Sequence, residues 1–343
     1  MRLNCSDELN YKTGVFMKTF EHFCSADLDW VAHFAAQLGA KIEGNFIVIP
    51  KNCHYSGTCY FLECNEGIVA FYVDMVHNID FQVTQKNVKD DFVAMYYNLT
   101  EGEVSILKDD IVYDLGLWKY NLLIMDGALQ SDFYAKAGSK IYMLCVFIKK
   151  NILQFFAQKN NIPFGSIKKK RNHEDREIVK FDRMSNESYH ILNDLRKLKV
   201  GGAIFDLNLK GSVQLLLSNY LNKLSKKRII LEEVNRNDFN AIISSQMYLM
   251  DNVESNFPTI KKLAFNANMS LSKFKVLFKE ITGTTPNLFF MNNKLHRAKE
   301  LLEGRQLTIL QISDRLHFGN TSYFGAKFKK FFGISPSTFI KQL

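Results

Sequence analysis

The pattern F-K-x-x-x-G-x-x-P is written twice in the last quarter of the chain, as FKEITGTTP (278–286) and FKKFFGISP (328–336). Fifty residues separate the copies, so the chain solves one local folding problem twice. In both copies an aromatic stands four residues before the first Phe, giving the pairs Phe274/Phe278 and Phe324/Phe328. A spacing of four places both rings on one face of a helix. Ile281 and Phe331 are expected to extend those faces. Gly283 and Gly333 fall where a left-handed residue ends a helix, and Pro286 and Pro336 follow where a helix cannot run through.

Upstream of each aromatic pair lies a shorter apolar-patterned segment and a tight turn. Asn268 and His317 occupy the turn positions that want positive φ, a region in which Asn and His are enriched among non-glycine residues. Ser270 and Asn320 are placed to cap the second helix of each pair. TILQ (308–311) has the Thr-x-x-Gln form of a capping box for the first helix of the second pair. Each copy therefore predicts a helix-turn-helix. Between them PNLFFMNNKLHRAKELLEG (286–304) reads as one longer helix with Leu288, Met291, Leu295, Ala298, Leu301 and Leu302 on its apolar face and Gly304 at its end. Such a strut would hold two recognition helices about 34 Å apart, the repeat of successive major grooves.

Charge follows the repeat. The chain of 343 residues carries +9 overall, and the segment from Asp251 onward holds 14 Lys or Arg against 6 Asp or Glu. A basic terminal module on a nearly neutral body points to a polyanion partner for that module.

These residues resemble the DNA-binding domain of the AraC/XylS transcriptional regulators. The likeness runs from about 257 to 343 and rests on KLA (262–264), LFKEITGTTP, RAKELLEG (297–304), SYFGAKFKKFFGISP (322–336) and Phe339. The chain departs from the family's usual Arg at Lys294 and usual Gly at Asn268 and His317. It also has one more residue between Ser313 and Phe324 than between Ala264 and Phe274, as the family does. Carried over position by position, the resemblance implies that the first recognition helix starts near Ser270 and turns Ser272, Lys275 and Val276 to the groove. Lys275 would donate to guanine O6/N7 and Val276 meet a thymine methyl, while Lys273 and Lys279 grip phosphates. The second helix, capped by Asn320, would present Thr321, Ser322, Gly325 and Ala326, side chains too short for bidentate base contacts. Its Lys327, Lys329 and Lys330 are long and cationic. The first unit is thus expected to supply most base readout, and the second to hold backbone and thymine methyls. A weaker likeness, over FDLNLKGSVQLLLSNYLNKL (205–224) and the stretch that follows, is to the pyochelin-regulator subgroup and implies an effector-binding N-terminal domain.

The N-terminal part reads as strands: NFIVIP (45–50), TCYFLE (58–63), IVAFYVDMV (68–76), FVAMYYNLT (92–100), IVYDLGLW (111–118) and IYMLCVFI (141–148), punctuated by turn dipeptides. Many short strands at close spacing favour an antiparallel barrel or sandwich, cupin-like, over an alternating α/β sheet. The fold class expected is multidomain α+β, with helices beside that β domain and an all-α double helix-turn-helix at the C-terminus. The divisions expected are a sensing domain over 1–165, a charged linker and helical region over 166–250, and a DNA-binding domain over 251–343. SIKKKRNHEDREIVKFDR (166–183) is a charge-dense break; because acids follow Lys168, Lys169, Lys170 and Arg171 at once, it is read as a solvated interdomain loop in preference to a nucleic-acid arm. In GSVQLLLSNYLNKLSKK (211–227) the stripe Val213, Leu216, Leu217, Tyr220, Leu221 and Leu224 would either mediate a homodimer or pack on its own body.

Several chemistries are set aside. Cys53, Cys59 and Cys64, with His54 beside them, have the spacing C-x5-C-x4-C and lack the C-x2-C pair of common zinc sites; reduced cysteines and no metal are expected. No His-x-His pair, Pro-Cys setting, phosphate loop G-x4-G-K-S/T or H-E-x-x-H occurs, so neither a catalytic residue nor a cofactor is expected and the chain is read as no enzyme. No apolar run reaches membrane-spanning length and no signal-peptide core is present, which predicts a cytoplasmic protein. The partners expected are double-stranded DNA, a small-molecule effector of unknown identity or else a controlling protein, a second copy of the chain, and RNA polymerase if the chain activates. Tyr60, Phe61, Phe71, Tyr72, Tyr96, Tyr97 and Trp118 are aromatics that either line an effector pocket or form plain core.

Overall fold

The strands that read as unbroken apolar runs are those whose sheet is covered on both faces. Strand β5 (Ile68–His77) sends Ile68, Ala70 and Tyr72 into one core and Val69, Phe71, Val73 and Met75 into another. β7 (Phe92–Asn98), β10 (Leu122–Asp126) and β12 (Lys140–Lys149) divide their side chains between the same two cores. Successive side chains on a strand point to opposite faces, so a strand buried on both must be apolar throughout.

The computed structural model describes residues 17–50, 55–108, 111–159, 179–224 and 234–343. They form two compact units, 1–228 and 229–343. In the first, the remaining strands are β1 (Met17–His22), β2 (Lys41–Glu43), β3 (Phe46–Val48), β4 (Tyr55–Asn65), β6 (Asp80–Gln85), β8 (Val104–Lys108), β9 (Ile111–Leu115), β11 (Ser131–Ala135) and β13 (Val179–Asp182). They make an eight-stranded sheet in the order β13-β10-β7-β12-β5-β4-β3-β2 and a five-stranded sheet in the order β1-β6-β11-β8-β9. Among the described residues every strand pair is antiparallel except β1 with β6, which is parallel. The expected α+β class with an antiparallel sandwich is what forms, and the parallel β1 is an addition that its sequence, MKTFEH, does not announce.

Helices close the outer face of the larger sheet. α2 (Lys150–Lys159), α3 (Asn186–Arg196) and α4 (Ala203–Leu224) contribute Leu153, Leu192, Leu195, Phe205, Leu209 and Leu216 to the core beneath them, whereas α1 (Val31–Gln37) joins the core between the sheets. Polar anchors fix the outer helices. Tyr60 donates to Asp206 Oδ1 at 2.6 Å, Tyr97 to the Leu216 carbonyl at 3.1 Å and Tyr142 to the Leu192 carbonyl at 2.6 Å. Arg196 grips Asp74 of β5 with two bonds of 2.9 Å.

The α4 stripe is accordingly decided: Val213, Leu216, Leu217, Tyr220 and Leu221 are buried against their own sheet, with Leu224 packed at the margin. The helices of 187–224 thus share the core of the first unit, and β13 pairs with β10 where a solvated loop had been expected. Lys168 to Arg171, Cys53 and His54 lie outside the described residues.

The second unit is all-α: α5 (Arg236–Asp251), α6 (Ile260–Asn266), α7 (Leu271–Thr282), α8 (Pro286–Glu303), α9 (Ile309–Arg315), α10 (Thr321–Phe332) and α11 (Pro336–Gln342).

Candidate nucleic-acid interface

Two helix pairs, α6–α7 and α9–α10, are built alike down to single hydrogen bonds. After α6 the Met269 amide donates to the Ala264 carbonyl at 3.0 Å, and after α9 the Phe318 amide donates to the Ser313 carbonyl at 2.9 Å. Asn268 and His317, each at φ 52°, supply the left-handed residue between. This is the six-to-one closure of a Schellman turn, with the left-handed position filled without glycine. The extra residue of the second turn is absorbed by Gly319, at φ 78°. Ser270 then accepts from the Lys273 amide and Asn320 from the Tyr323 amide, capping α7 and α10. Thr308 and Gln311 form the reciprocal capping box that starts α9.

Both second helices stop at left-handed glycines, Gly283 at φ 84° and Gly333 at φ 83°. Thr285 and Ser335 cap the next helices, whose first residues are Pro286 and Pro336. The repeat is longer than the sequence motif suggests. Phe274, Phe278 and Phe289 meet in sequence, tilted or edge to face, with ring centroids 5.7 and 5.7 Å apart, and Phe324, Phe328 and Phe339 do so at 5.7 and 5.8 Å. Phe289 and Phe339 both follow their prolines by three residues; the sequence pattern singled out Phe339 but not its counterpart Phe289.

Burying those rings fixes what the opposite faces expose. On α7, Ser272, Lys273, Lys275, Val276 and Lys279 are exposed while Phe274, Phe278 and Ile281 are buried. On α10, Ser322, Ala326, Lys329 and Lys330 are exposed, with Thr321, Gly325 and Lys327 half-buried. The ammonium of Lys327 lies over the Tyr323 ring, 5.2 Å from its centroid. Each helix thus gathers its predicted residues beside one buried aromatic pair. Asp238 of α5 holds Lys273, its carboxylate 2.7 Å from the ammonium.

Two expectations about packing are corrected. Phe331 is exposed beside His296, and it is Phe332 whose ring lies tilted against Phe328, with centroids 4.6 Å apart. On α8, Leu288 is exposed while Phe289 and Phe290 are buried, together with Asn292, Asn293 and Lys294. An amphipathic stripe fails here because α8 touches α5, α7, α9, α10 and α11. Its buried polar groups find partners: Asn293 donates to the Phe289 carbonyl at 2.7 Å and Lys294 to the Ser255 carbonyl at 2.9 Å. Burial lowers the Lys294 pKa to about 8, and its ammonium lies 4.8 Å from the Phe290 ring centroid and 5.8 Å from that of Phe318. Gly304 follows α8 in a right-handed conformation, and Arg305, at φ 51°, makes the left-handed turn. Glu254 braces the unit, accepting from Arg297 of α8 at 2.7 Å and from Arg315 of α9 at 2.8 Å. The Arg315 and Arg297 bonds hold its carboxyl below the usual range, against the opposing effect of partial burial.

Among the expected aromatics of the first unit, Phe71 and Tyr96 line a cavity between the sheets, whereas Tyr60, Tyr72 and Tyr97 face the helices. Cys24, Cys59, Cys64 and Cys145 are buried free thiols, and burial raises the pKa of each. Among the described residues no helix is long and apolar enough to cross a membrane.

A family model described as a helix-turn-helix domain matches residues 263–342. The chain is 25% identical over 123 residues to a probable transcriptional regulator, LumQ, of Photobacterium leiognathi, covering 36% of this chain and 49% of that protein. It is 34% identical over 84 residues to the HTH-type transcriptional regulator AlkR of Acinetobacter baylyi, covering 24% and 28%. To the F1 operon positive regulatory protein of Yersinia pestis it is 33% identical over 89 residues, covering 26% and 30%. The matches therefore span half or less of those relatives. The crystal structure of the AdpA DNA-binding domain with a target DNA aligns with 30% of this chain and 91% of that one, at 20% identity and a TM-score of 0.28.

Proposed function

We propose, from the premise that residues 263–342 are a helix-turn-helix domain of the AraC type, that this chain is a sequence-specific DNA-binding regulator of transcription. The observation that carries the reading is the duplication: two capped helices, α7 and α10, each back a buried Phe pair with an exposed row of Lys, Ser and small residues. Lys275 and Val276 read bases in the first groove, with Ser270 and Ser272 beside them. Thr321, Ser322, Gly325 and Ala326 approach the second groove closely, next to the Asn320 cap. Lys273, Lys279, Lys327, Lys329 and Lys330 neutralise phosphates. The test is selection from a random duplex library with the full chain. Two enriched half-sites about one helical turn apart support the reading, and an unenriched library sinks it.

The first unit is the sensor, acting on the second through different effector affinities in two states. A cavity inside the sandwich favours a small effector over a controlling protein. The working compartment is the cytoplasm, in keeping with four buried, unpaired cysteines. RNA polymerase is the further partner if the regulator activates.

A second copy of the chain fits the outer face of α4. Ile204, Leu207 and Leu215 are 78%, 71% and 55% exposed, and they flank Gly211, where an added Cβ would meet no described residue within 4 Å. A glycine in mid-helix costs about 1 kcal/mol relative to Ala, and close approach of another helix offsets it. In an antiparallel pair centred on Gly211, Leu207 meets the partner's Leu215, and Asn208 meets the partner's Gln214. Sedimentation of Leu207→Asp against the unaltered chain tests this: the variant sediments as a monomer where the unaltered chain dimerises.

A further inference from the structure

The cavity between the two sheets measures about 110 Å³. Most of its wall is apolar, including Phe20, Phe34, Phe81, Ile106, Leu123 and Phe147. One end is different. The register places His22 of β1 beside Gln85 of β6, and Gln85 beside Ser131 of β11, so that three neighbouring strands bring a polar residue to the same end. From the opposite sheet Tyr96 donates its hydroxyl to Gln85 Oε1 at 2.8 Å. Cys24 Sγ lies 3.1 Å from His22 Nε2. That leaves His22 Nδ1 buried with no hydrogen-bond partner among the described residues, in a residue only 7% exposed.

We infer that this cavity is the binding site for a small uncharged molecule, built on one apolar ring and bearing a hydroxyl group, with the hydroxyl held at His22 Nδ1.

Each part of that description follows from the wall. At about 110 Å³ the cavity is somewhat smaller than an engineered apolar cavity of about 150 Å³ that takes up benzene, so a single ring is the most it holds. A hydroxyl suits the site because it both donates and accepts. If the Cys24 thiol donates to Nε2, Nδ1 carries the proton and the ligand oxygen accepts it. If Nε2–H points to sulfur, Nδ1 accepts from the ligand. A carboxylate does not suit it: among the described residues lining the cavity none is charged, and burial pushes the His22 pKa down to about 3, so the imidazole is neutral at pH 7. An anion would be buried without a countercharge. A sugar would leave most of its hydroxyls facing phenyl rings. His77 also lines the cavity with an Nδ1 that has no partner among the described residues, and burial lowers its pKa to about 4, so it too offers no charge.

The inference deepens the sensing role proposed above, yet it is tested without DNA. The full chain is titrated calorimetrically at neutral pH with phenol, toluene and benzoate. Phenol is expected to bind about tenfold more tightly than toluene, and benzoate at least a hundredfold more weakly than phenol. In His22→Leu, which replaces the unpaired nitrogen with an apolar side chain of similar size, phenol and toluene should bind within about twofold of each other. Toluene binding by the variant reports an intact cavity. The wild-type order alone decides the ligand class, whatever the variant's fold. The assignment is overturned if wild type binds neither phenol nor toluene, if benzoate rivals phenol, or if a toluene-binding His22→Leu chain keeps the tenfold preference. A chain that passes here but enriches no duplex retains the cavity site and loses the regulatory role.

Discussion

The carboxylate of Asp238 in α5 stands 2.7 Å from the ammonium of Lys273 in the first turn of α7. A lysine placed to meet a phosphate is thereby already occupied by an anion of its own unit. The Lys273 side chain is 49% exposed and that of Asp238 23%, so water screens the pair and its worth is at most about 1 kcal/mol. That is enough to compete with one phosphate contact. Asp238→Asn should tighten binding to a generic duplex by a few-fold at low salt. It should also steepen the slope of log affinity against log salt by about 0.9, the value of one further phosphate. Fluorescence anisotropy over a salt series reads both. An unchanged slope would mean that Lys273 does not reach the backbone.

Lys275 and Lys329 stand on corresponding faces of the two repeats but are assigned different work. Lys275→Ala should change which bases are selected at one position of the enriched site. Lys329→Ala should weaken every sequence alike and flatten the salt slope by about one unit. Parallel selections with the two variants make the comparison, and identical enriched sequences from wild type and Lys275→Ala would remove Lys275 from base readout.

Gly325 occupies the position in α10 that Lys275 holds in α7. A Cβ built there meets nothing within 4 Å, so nothing inside the unit explains a glycine in mid-helix. Gly325→Ala should therefore raise the stability of the second unit by about 1 kcal/mol, read from the denaturant midpoint. If the bare backbone is there to approach DNA, the same variant should bind duplex more weakly although it is more stable. Equal or tighter binding would remove that explanation.

What was legible in the sequence was whatever local chemistry decides. Caps at Ser270, Asn320 and Thr308, left-handed turns at Asn268 and His317, and glycine stops at Gly283 and Gly333 all depend on one residue and its near neighbours. Long-range pairing was less visible. β1 is a strand because it lies in register with β6, and β13 because it pairs with β10; neither segment is rich in β-branched residues throughout. On α8 the stripe rule picked Leu288 over Phe289 and Phe290 because it assumes one buried face, and this helix is enclosed on several. The polar end of the cavity was hidden for a related reason. His22, Gln85 and Ser131 are far apart in the chain and meet only through strand register.

Those histidines make a last expectation, about pH. Burial lowers the His22 pKa to about 3, with a smaller contribution from His33, and lowers the His77 pKa to about 4. In the unfolded chain both titrate near 6.5. The unfolded state therefore binds more protons between those values, and the stability that the neutral imidazoles contribute is complete above about pH 6.5 and is lost as pH falls toward 4. Each costs roughly 1.4 kcal/mol per pH unit inside that window. Carboxylates held low, such as Asp27 and Asp29, act with the same sign but near and below pH 4. Both tryptophans, Trp30 and Trp118, lie in the first unit, so their fluorescence follows its unfolding. Denaturant midpoints from pH 8 to pH 4 should be flat and then fall below about 6.5. His22→Leu should flatten that fall by about half, because one of the two groups is gone, while leaving the midpoint at pH 8 the same or higher. A wild-type midpoint constant down to pH 4 would mean that both imidazoles reach water and accept protons in the folded chain.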